Sequence, residues 1–485
     1  EDPLLPDALR EALSPELATA HVRAGKEKLA LALAVGAARE RVVGTASIAS
    51  GEGRPRVPSA YFAELLGRRL GRVARAADVR AVMAEAVRSV GAPQHASRAT
   101  ERNLALVRAL AERPVADTES AAHHVVASEP LVRASLQRAW RRRQRRLNPS
   151  DGLVLPRDRG APPLAPYAPA ARTYSATKLE SFAACPYRFY LSAVMHLEPL
   201  EEPAPAEEVD PLTRGSITHD AQFRTLLALR TRGIALGPVG LPAALDELDR
   251  VIAALRTEQH ELLVPAIPAV LDEAIETIRL DLREWLARLA SEPEWRPRYV
   301  ELGFGSPPGE RDPESVAAPV TLEEGLTLRG AIDLVEERGE GGALRATDTK
   351  TGSTRTIEAH VRGQKLVVRG GQTLQPVLYA LVLSRLFPER EVVGGRLWFA
   401  TRKSGFASFA VTLDDAARES ARQVASALEE ACKKGYLPAV PVAGACTYCD
   451  HRLLCGPSAE ARARAVPDAD VSEALPALVT LRRRP

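Results

Sequence analysis

Asp348-Thr349-Lys350 sets a carboxylate and an ammonium two residues apart. Alternate side chains of a strand share a face, so the two project together, an oxygen ligand for a hard cation beside a fixed positive charge. Just upstream, Asp333 closes the run Leu328-Arg329-Gly330-Ala331-Ile332-Asp333, and the turn Gly339-Glu340-Gly341-Gly342 predicts a hairpin that lays the two carboxylates on neighbouring strands. Two such Asp can hold a divalent cation, leaving water and a substrate phosphate to complete its shell. The chemistry this suits is phosphodiester hydrolysis: the cation polarises the phosphoryl oxygen and acidifies water, while Lys350 orients that water or offsets developing negative charge. An isolated Asp-x-Lys is more often a solvated ion pair. Here an apolar-flanked strand and a second Asp raise it above that.

Other candidates are weaker taken singly. His219, in Arg214-Gly215-Ser216-Ile217-Thr218-His219, falls on an expected helix, where a lone His is more often structural than a ligand. Gln375 and Tyr379 lie four residues apart and share a helix face, with Pro376 in the first turn where its missing N–H is harmless. Cys446, Cys449 and Cys455 form a Cys-x2-Cys-x5-Cys cluster that can wrap one centre, and Cys185 is the candidate fourth thiolate. By spacing alone, a four-Cys structural zinc and an iron-sulfur cluster both remain open. Cys432, on an expected helix, reads as a spare thiol.

The elements that must position these groups belong to a chain of 485 residues with 45% hydrophobic content, enough for substantial cores in two to four domains. Its net charge of +3 hides a strong bias, 57 Arg against eight Lys, that by itself says nothing about nucleic acid. Five Cys in such a length exclude a disulfide scaffold. No apolar stretch of membrane-spanning length and no signal-peptide pattern occur, so no membrane partner and a cytoplasmic location are expected. The sequence opens at Glu1 rather than Met, which leaves room for a longer parent chain.

Residues 1–146 read as mostly helical, as in Tyr61 to Val73 and Leu104 to Leu110, and residues 147–172, with six Pro, as an extended linker. Helices are expected at Ala176 to Leu197, Pro211 to Gly233 and, two or three of them, Leu241 to Ala290. Strands are expected at Tyr299 to Gly305, Leu326 to Glu337, Ala343 to Lys350, Val392 to Thr401 and Phe406 to Leu413, with a helix at Thr373 to Phe387 between the hairpin and the last pair. That order predicts a mixed α/β core. The run Arg138 to Arg146, with Trp140, could track a nucleic-acid backbone or dock a partner subunit.

Gly-x-x-x-His, Gly-x-x-Asp, Asp-x-Lys-x-Gly and Gln-x-x-x-Tyr, in this order and at these intervals, resemble the RecB-like branch of the PD-(D/E)xK nuclease superfamily. The resemblance implies a mixed-sheet nuclease core at 173–465 followed by a tail at 466–485, and Mg2+ or Mn2+ held by His219, Asp333, Asp348 and the Thr349 carbonyl. It makes Lys350 the catalytic lysine and places Gln375 and Tyr379 beside metal and DNA. Thr349 is a departure, since that position is often aromatic or apolar in the family. Thr177-Lys178-Leu179-Glu180 leading to Cys185-Pro186-Tyr187-Arg188-Phe189, with three Cys after the core, resembles the iron-sulfur staple of AddB-type helicase-nuclease subunits and of CRISPR-adaptation exonucleases; this implies a [4Fe-4S] cluster on Cys185, Cys446, Cys449 and Cys455. Leu33 to Arg41 and Gly53 to Ser59 resemble the end of a superfamily 1 helicase domain. No phosphate loop occurs, so no ATP hydrolysis by this chain is expected: either the helicase part is a degenerate remnant or it lies upstream of Glu1. The setting implied is exonucleolytic processing of DNA breaks with an AddA/UvrD-like helicase partner; the alternatives are an inactive scaffold subunit or a stand-alone CRISPR-adaptation-type exonuclease.

Overall fold

The computed structural model describes residues 7–14, 17–42, 60–84, 101–103, 105, 126–127, 130–154, 164–198, 209–263, 265, 267–292, 294–305, 311–447, 449–455 and 459–485. Contacts divide the chain into two units, Glu1–Arg141 and Arg142–Pro485.

The regular elements described in the first unit are helices: α1 (Asp7–Leu13), α2 (Ala20–Gly36), α3 (Ala60–Leu70), α4 (Ala76–Ala84) and α5 (Pro130–Arg143), the last running two residues past its boundary. The Asp7 carboxylate accepts from the first backbone N–H of α2, and the Tyr61 hydroxyl donates to the Ala24 carbonyl, tying the first three together. Trp140 stands exposed on α5. Gly53 to Ser59, part of the helicase-like resemblance, and most of Leu104 to Leu110 lie outside the described residues.

The second unit holds a five-stranded sheet in the order β2-β5-β6-β7-β8, from β2 (Trp295–Phe304), β5 (Gly330–Arg338), β6 (Leu344–Lys350), β7 (Val392–Phe399) and β8 (Ser408–Thr412). A small second sheet joins β1 (Thr173–Tyr174), β4 (Thr327–Leu328) and β3 (Val320–Thr321). Only β6 and β7 of the large sheet run parallel, as a crossover through a helix requires; the others pair antiparallel. Gly339 and Gly341 take positive φ in the hairpin turn between β5 and β6.

Helices cover both faces of this sheet. One face packs on α6 (Ala176–Ala184), α7 (Pro186–Phe189) and the π-turn Tyr190–Val194, and also on the later helices α12 (Gln375–Leu386), α13 (Asp415–Lys434), α16 (Asp468–Ala474) and α17 (Pro476–Arg482). The other packs on α8 (Pro211–Thr231), α9 (Leu241–Leu263) and α10 (Pro268–Ala290). The short α11 (Arg355–Val361), α14 (Arg452–Cys455) and α15 (Ala459–Arg464) lie in the connections. Because β6 is covered on both sides, its side chains are buried nearly to the end, and charge is concentrated where the strand leaves the sheet. A Cβ at Gly395 would fall 2.1 Å from the Pro376 carbonyl oxygen, so only glycine lets α12 sit directly on β7.

One buried ionic group lies mid-sheet. The Glu336 carboxylate is matched by Arg396 at 2.8 Å and Arg345 at 2.8 Å, with Glu292 closing the set. Burial alone would raise this carboxyl, but the two guanidiniums outweigh it and hold it below the ordinary range.

Two stretches differ from the sequence expectation. The residues read as a free linker are attached at both ends: Leu153 bridges to Tyr436, Leu164 is fully buried, and the Tyr174 hydroxyl donates to the Tyr167 carbonyl at 2.6 Å. Residues read as a tail form α16 and α17, which bury Leu475, Leu478 and Leu481 in the core. Their apolar spacing is helical, but the Arg and Pro around it masked the signal. Leu478→Ala is expected to lower the unfolding free energy of this unit by about 2–5 kcal/mol in denaturant titration; an unchanged midpoint would show the segment to be peripheral.

Candidate metal centre and cysteine pocket

The β5–β6 ladder pairs Leu334 with Thr347 and stops there, so the next facing residues, Asp333 and Asp348, stand where the strands part. The ladder bond that would follow is replaced by a side chain: the Thr349 N–H donates to Asp333 Oδ2 at 2.7 Å. Strand alternation puts Lys350 on the Asp348 face, with Nζ 2.7 Å from Asp348 Oδ2. Apart from this ammonium, no hydrogen-bonding group among the described residues reaches that buried oxygen.

From the opposite helical layer, α8 brings His219, whose Nδ1 lies 3.6 Å from Asp333 Oδ2. Asp210 caps α8 by accepting from the Leu212 and Thr213 N–H groups, which fixes the helix start behind Gly215 and His219. From the other layer come Gln375 and Tyr379 of α12, with Gln375 Nε2 3.5 Å from the Tyr379 hydroxyl, while Phe304 of β2 meets the Tyr379 ring edge-on.

Sequence reasoning missed two carboxylates. Glu301, on β2, offers an oxygen within 4.8 Å of ligand atoms of both His219 and Asp333. Its φ of 50° is a strained value for a non-glycine residue, in a strand whose register with β5 also shifts between Pro297 and Tyr299. The available signal was an acidic residue at Val300-Glu301-Leu302, inside an apolar run. Glu180, on α6, accepts from the Leu374 and Gln375 N–H groups at 2.7 and 3.3 Å and so caps the helix that carries Gln375 and Tyr379.

Electrostatics at this centre follow from crowding. Burial pushes Glu301 up to about 7, with the Asp333 charge adding to it. Burial likewise raises Asp333 and Asp348, although Lys350 pulls both back down. Desolvation lowers His219, so its imidazole is neutral and able to ligate. Lys350 is raised despite its burial because Asp348 and Asp333 hold its proton. Glu180 rises to about 7 through burial, against the opposing backbone N–H of Leu374. A neutral imidazole and the Glu301 and Asp333 carboxylates within 4.8 Å of one another, with Asp348 on the neighbouring strand beside Lys350, fit a divalent cation with oxygen and nitrogen ligands.

The second site lies at the far end of α6. Cys185, Cys446, Cys449 and Cys455 line one cavity together with Leu191, Pro441 and His451. All are free thiols, and among the described residues no three cysteine sulfurs lie within 4.8 Å of one another. Backbone bonds from Val442 N–H to Ala184 O and Tyr187 N–H to Pro438 O stitch the two cysteine segments together. Arg482 of α17 clamps them, donating to the carbonyls of Ala183, Ala184 and Val440. Burial pushes the Cys185 thiol up to about 11. Cys432 is not among the lining residues; its thiol donates to the Tyr167 carbonyl.

A raised carboxyl favours the folded state while protonated. That stability is complete below the unfolded value near 4 and is lost as pH rises through the folded values, toward 7 for Glu301. Metal-free protein is therefore expected to lose on the order of 2 kcal/mol between pH 5 and pH 8 relative to Asp348→Asn. Mg2+ or Mn2+ should restore melting temperature at pH 8 more than at pH 5, in the wild type and not in the variant.

The sequence model of the PD-(D/E)XK nuclease superfamily matches residues 173–456. An ATP-dependent helicase/deoxyribonuclease subunit from Moorella thermoacetica is 28% identical over 240 residues, which span 47% of this chain and 19% of that protein.

Proposed function

The chain belongs to the PD-(D/E)XK nuclease superfamily, and we propose that it is a metal-dependent deoxyribonuclease acting on DNA ends as an exonuclease. The observation that carries this reading is the convergence of His219, Glu301, Asp333, Asp348 and Lys350 where β5 and β6 part.

His219, Asp333, Asp348 and the Thr349 carbonyl would hold Mg2+ or Mn2+; of these, His219 and Asp333 cluster within 4.8 Å together with Glu301, while Asp348 lies outside that group and faces Lys350. Such a cation supplies Lewis acidity toward a phosphoryl oxygen and lowers the pKa of water. Lys350 keeps its proton at the Asp348 edge, where its charge can offset that developing on the phosphate. The Tyr379 hydroxyl, kept protonated by burial, can donate to substrate, and Gln375 fixes its direction.

Cys185, Cys446, Cys449 and Cys455 would hold a [4Fe-4S] cluster with a structural role. The choice of this cluster over a four-Cys zinc rests on the resemblance of Thr177 to Phe189 and the three later cysteines to an iron-sulfur staple, and is supported by the four thiols lining one cavity. The setting we infer is cytoplasmic repair of double-strand breaks with an AddA/UvrD-like helicase partner, supported by the helicase/deoxyribonuclease relative from Moorella thermoacetica. Among the described residues, no helix is long and apolar enough to cross a membrane.

Anaerobically purified protein with Mg2+ or Mn2+ is expected to shorten DNA from its ends, and Lys350→Ala to slow this at least about a hundredfold. Equal activity in Asp348→Ala, or none in intact wild type, would defeat the enzyme reading. The same sample should absorb in the visible and contain about four iron atoms per chain; a colourless protein with one zinc would overturn the cluster assignment.

A further inference from the structure

Three side chains near Lys350 belong neither to the metal set nor to the cysteine cavity. Asp281 of α10 is almost fully buried, yet it meets two guanidiniums from separate elements: Arg214 of α8, Nη2 to Oδ2 at 3.4 Å, and Arg402, Nε to Oδ1 at 3.4 Å. The Arg402 backbone N–H also donates to Oδ1, at 3.0 Å.

Both arginines stand next to the catalytic strand end. Arg402 opens the turn after β7, and just before that turn the Ala400 N–H donates to the Lys350 carbonyl at 2.9 Å. Gly215, next to Arg214, faces Thr351: a Cβ there would lie 3.7 Å from Thr351 Oγ1. The turn is rigid, since the Thr401 hydroxyl accepts from the Ser404 N–H, the Ser404 hydroxyl donates to the Phe399 carbonyl, and Gly405 takes the left-handed conformation.

Charge and geometry agree. One buried carboxylate needs one guanidinium for neutrality; the second leaves a net positive charge, and Lys403 adds another. Asp281 takes the Nε edge of Arg402. Among the described residues no partner engages its two terminal nitrogens, the pair that matches two phosphate oxygens. The Arg402 and Arg214 side chains are 52% and 36% exposed, so both can reach a ligand.

We propose that Arg214 and Arg402, held in place by Asp281, form a phosphate subsite that grips the DNA backbone beside the phosphodiester being cut. Resting on the nuclease reading, it assigns Asp281 as a positioning residue.

Fluorescence anisotropy with a fluorescein-labelled single-stranded oligonucleotide, in EDTA across a salt series, tests it on the full chain. Arg402→Ala and Arg214→Ala should each weaken binding several-fold and flatten the log–log salt slope by about 0.7. In Mg2+ they should raise KM and leave kcat near wild type, and Arg402→Lys should recover the salt slope. Asp281→Asn adds net positive charge, yet is expected to bind more weakly because both arginines lose their anchor. Wild-type affinity and slope in both alanine variants, or tighter binding by Asp281→Asn, would overturn the subsite while leaving the nuclease reading intact. A wild type that neither binds nor cuts DNA defeats both.

Discussion

Glu301, Asp333 and Asp348 crowd the end of the β5–β6 hairpin beside Lys350, and burial makes ionising all three costly, raising Glu301 to about 7 and the two Asp to about 6. A further cation would relieve that cost. The rest of the second unit arranges this conflict. The sheet ends its β5–β6 ladder one pair early, α8 sends in a neutral imidazole, and α12 brings the uncharged polar groups of Gln375 and Tyr379, which add no negative charge. Mid-sheet, Glu336 is fully matched by two arginines and needs nothing from outside. The two buried acidic sites thus differ in one respect, whether the protein itself supplies enough positive charge.

How much of this could be read in the sequence depended on the range of the signal. Asp348, Lys350 and their shared face follow from strand alternation, and the hairpin from a glycine turn, so the strand order and the Asp333–Asp348 juxtaposition were legible. Gln375 and Tyr379 follow from helical spacing in the same way. Glu301 and Glu180 were not legible as site residues, because each acts through a contact set by packing. Glu301 depends on a positive φ that no local pattern announces, and Glu180 on a helix start 194 residues away. The pairing of Asp281 with Arg402 spans 121 residues and was equally invisible. For the cysteines, the order and spacing were apparent while their meeting was not; that rests on Arg482, in a segment read as a tail.

α6 connects the two sites mechanically. Its C-terminal end delivers Cys185 to the cavity, and midway along it Glu180 holds the first turn of α12. Behind that turn, Gly371 carries a φ of 82° and lies so close to α6 that a Cβ would sit 2.6 Å from the Ala183 Cβ. A rigid helix seated that closely cannot shift at one end without moving Gln375 at the other. The cysteine pocket and the helix that carries Gln375 and Tyr379 are therefore joined by direct contacts through α6.

The clamp by Arg482 also has a temporal side. Cys185 leaves the ribosome some 260 residues ahead of its partners, and α17, whose arginine bridges the two segments, emerges later still. At ordinary elongation rates the first thiolate waits on the order of tens of seconds for the other three. Closure of the cysteine pocket thus waits on α17, and a nascent chain stalled before it would lack the Arg482 clamp that joins the Cys185 segment to Val440.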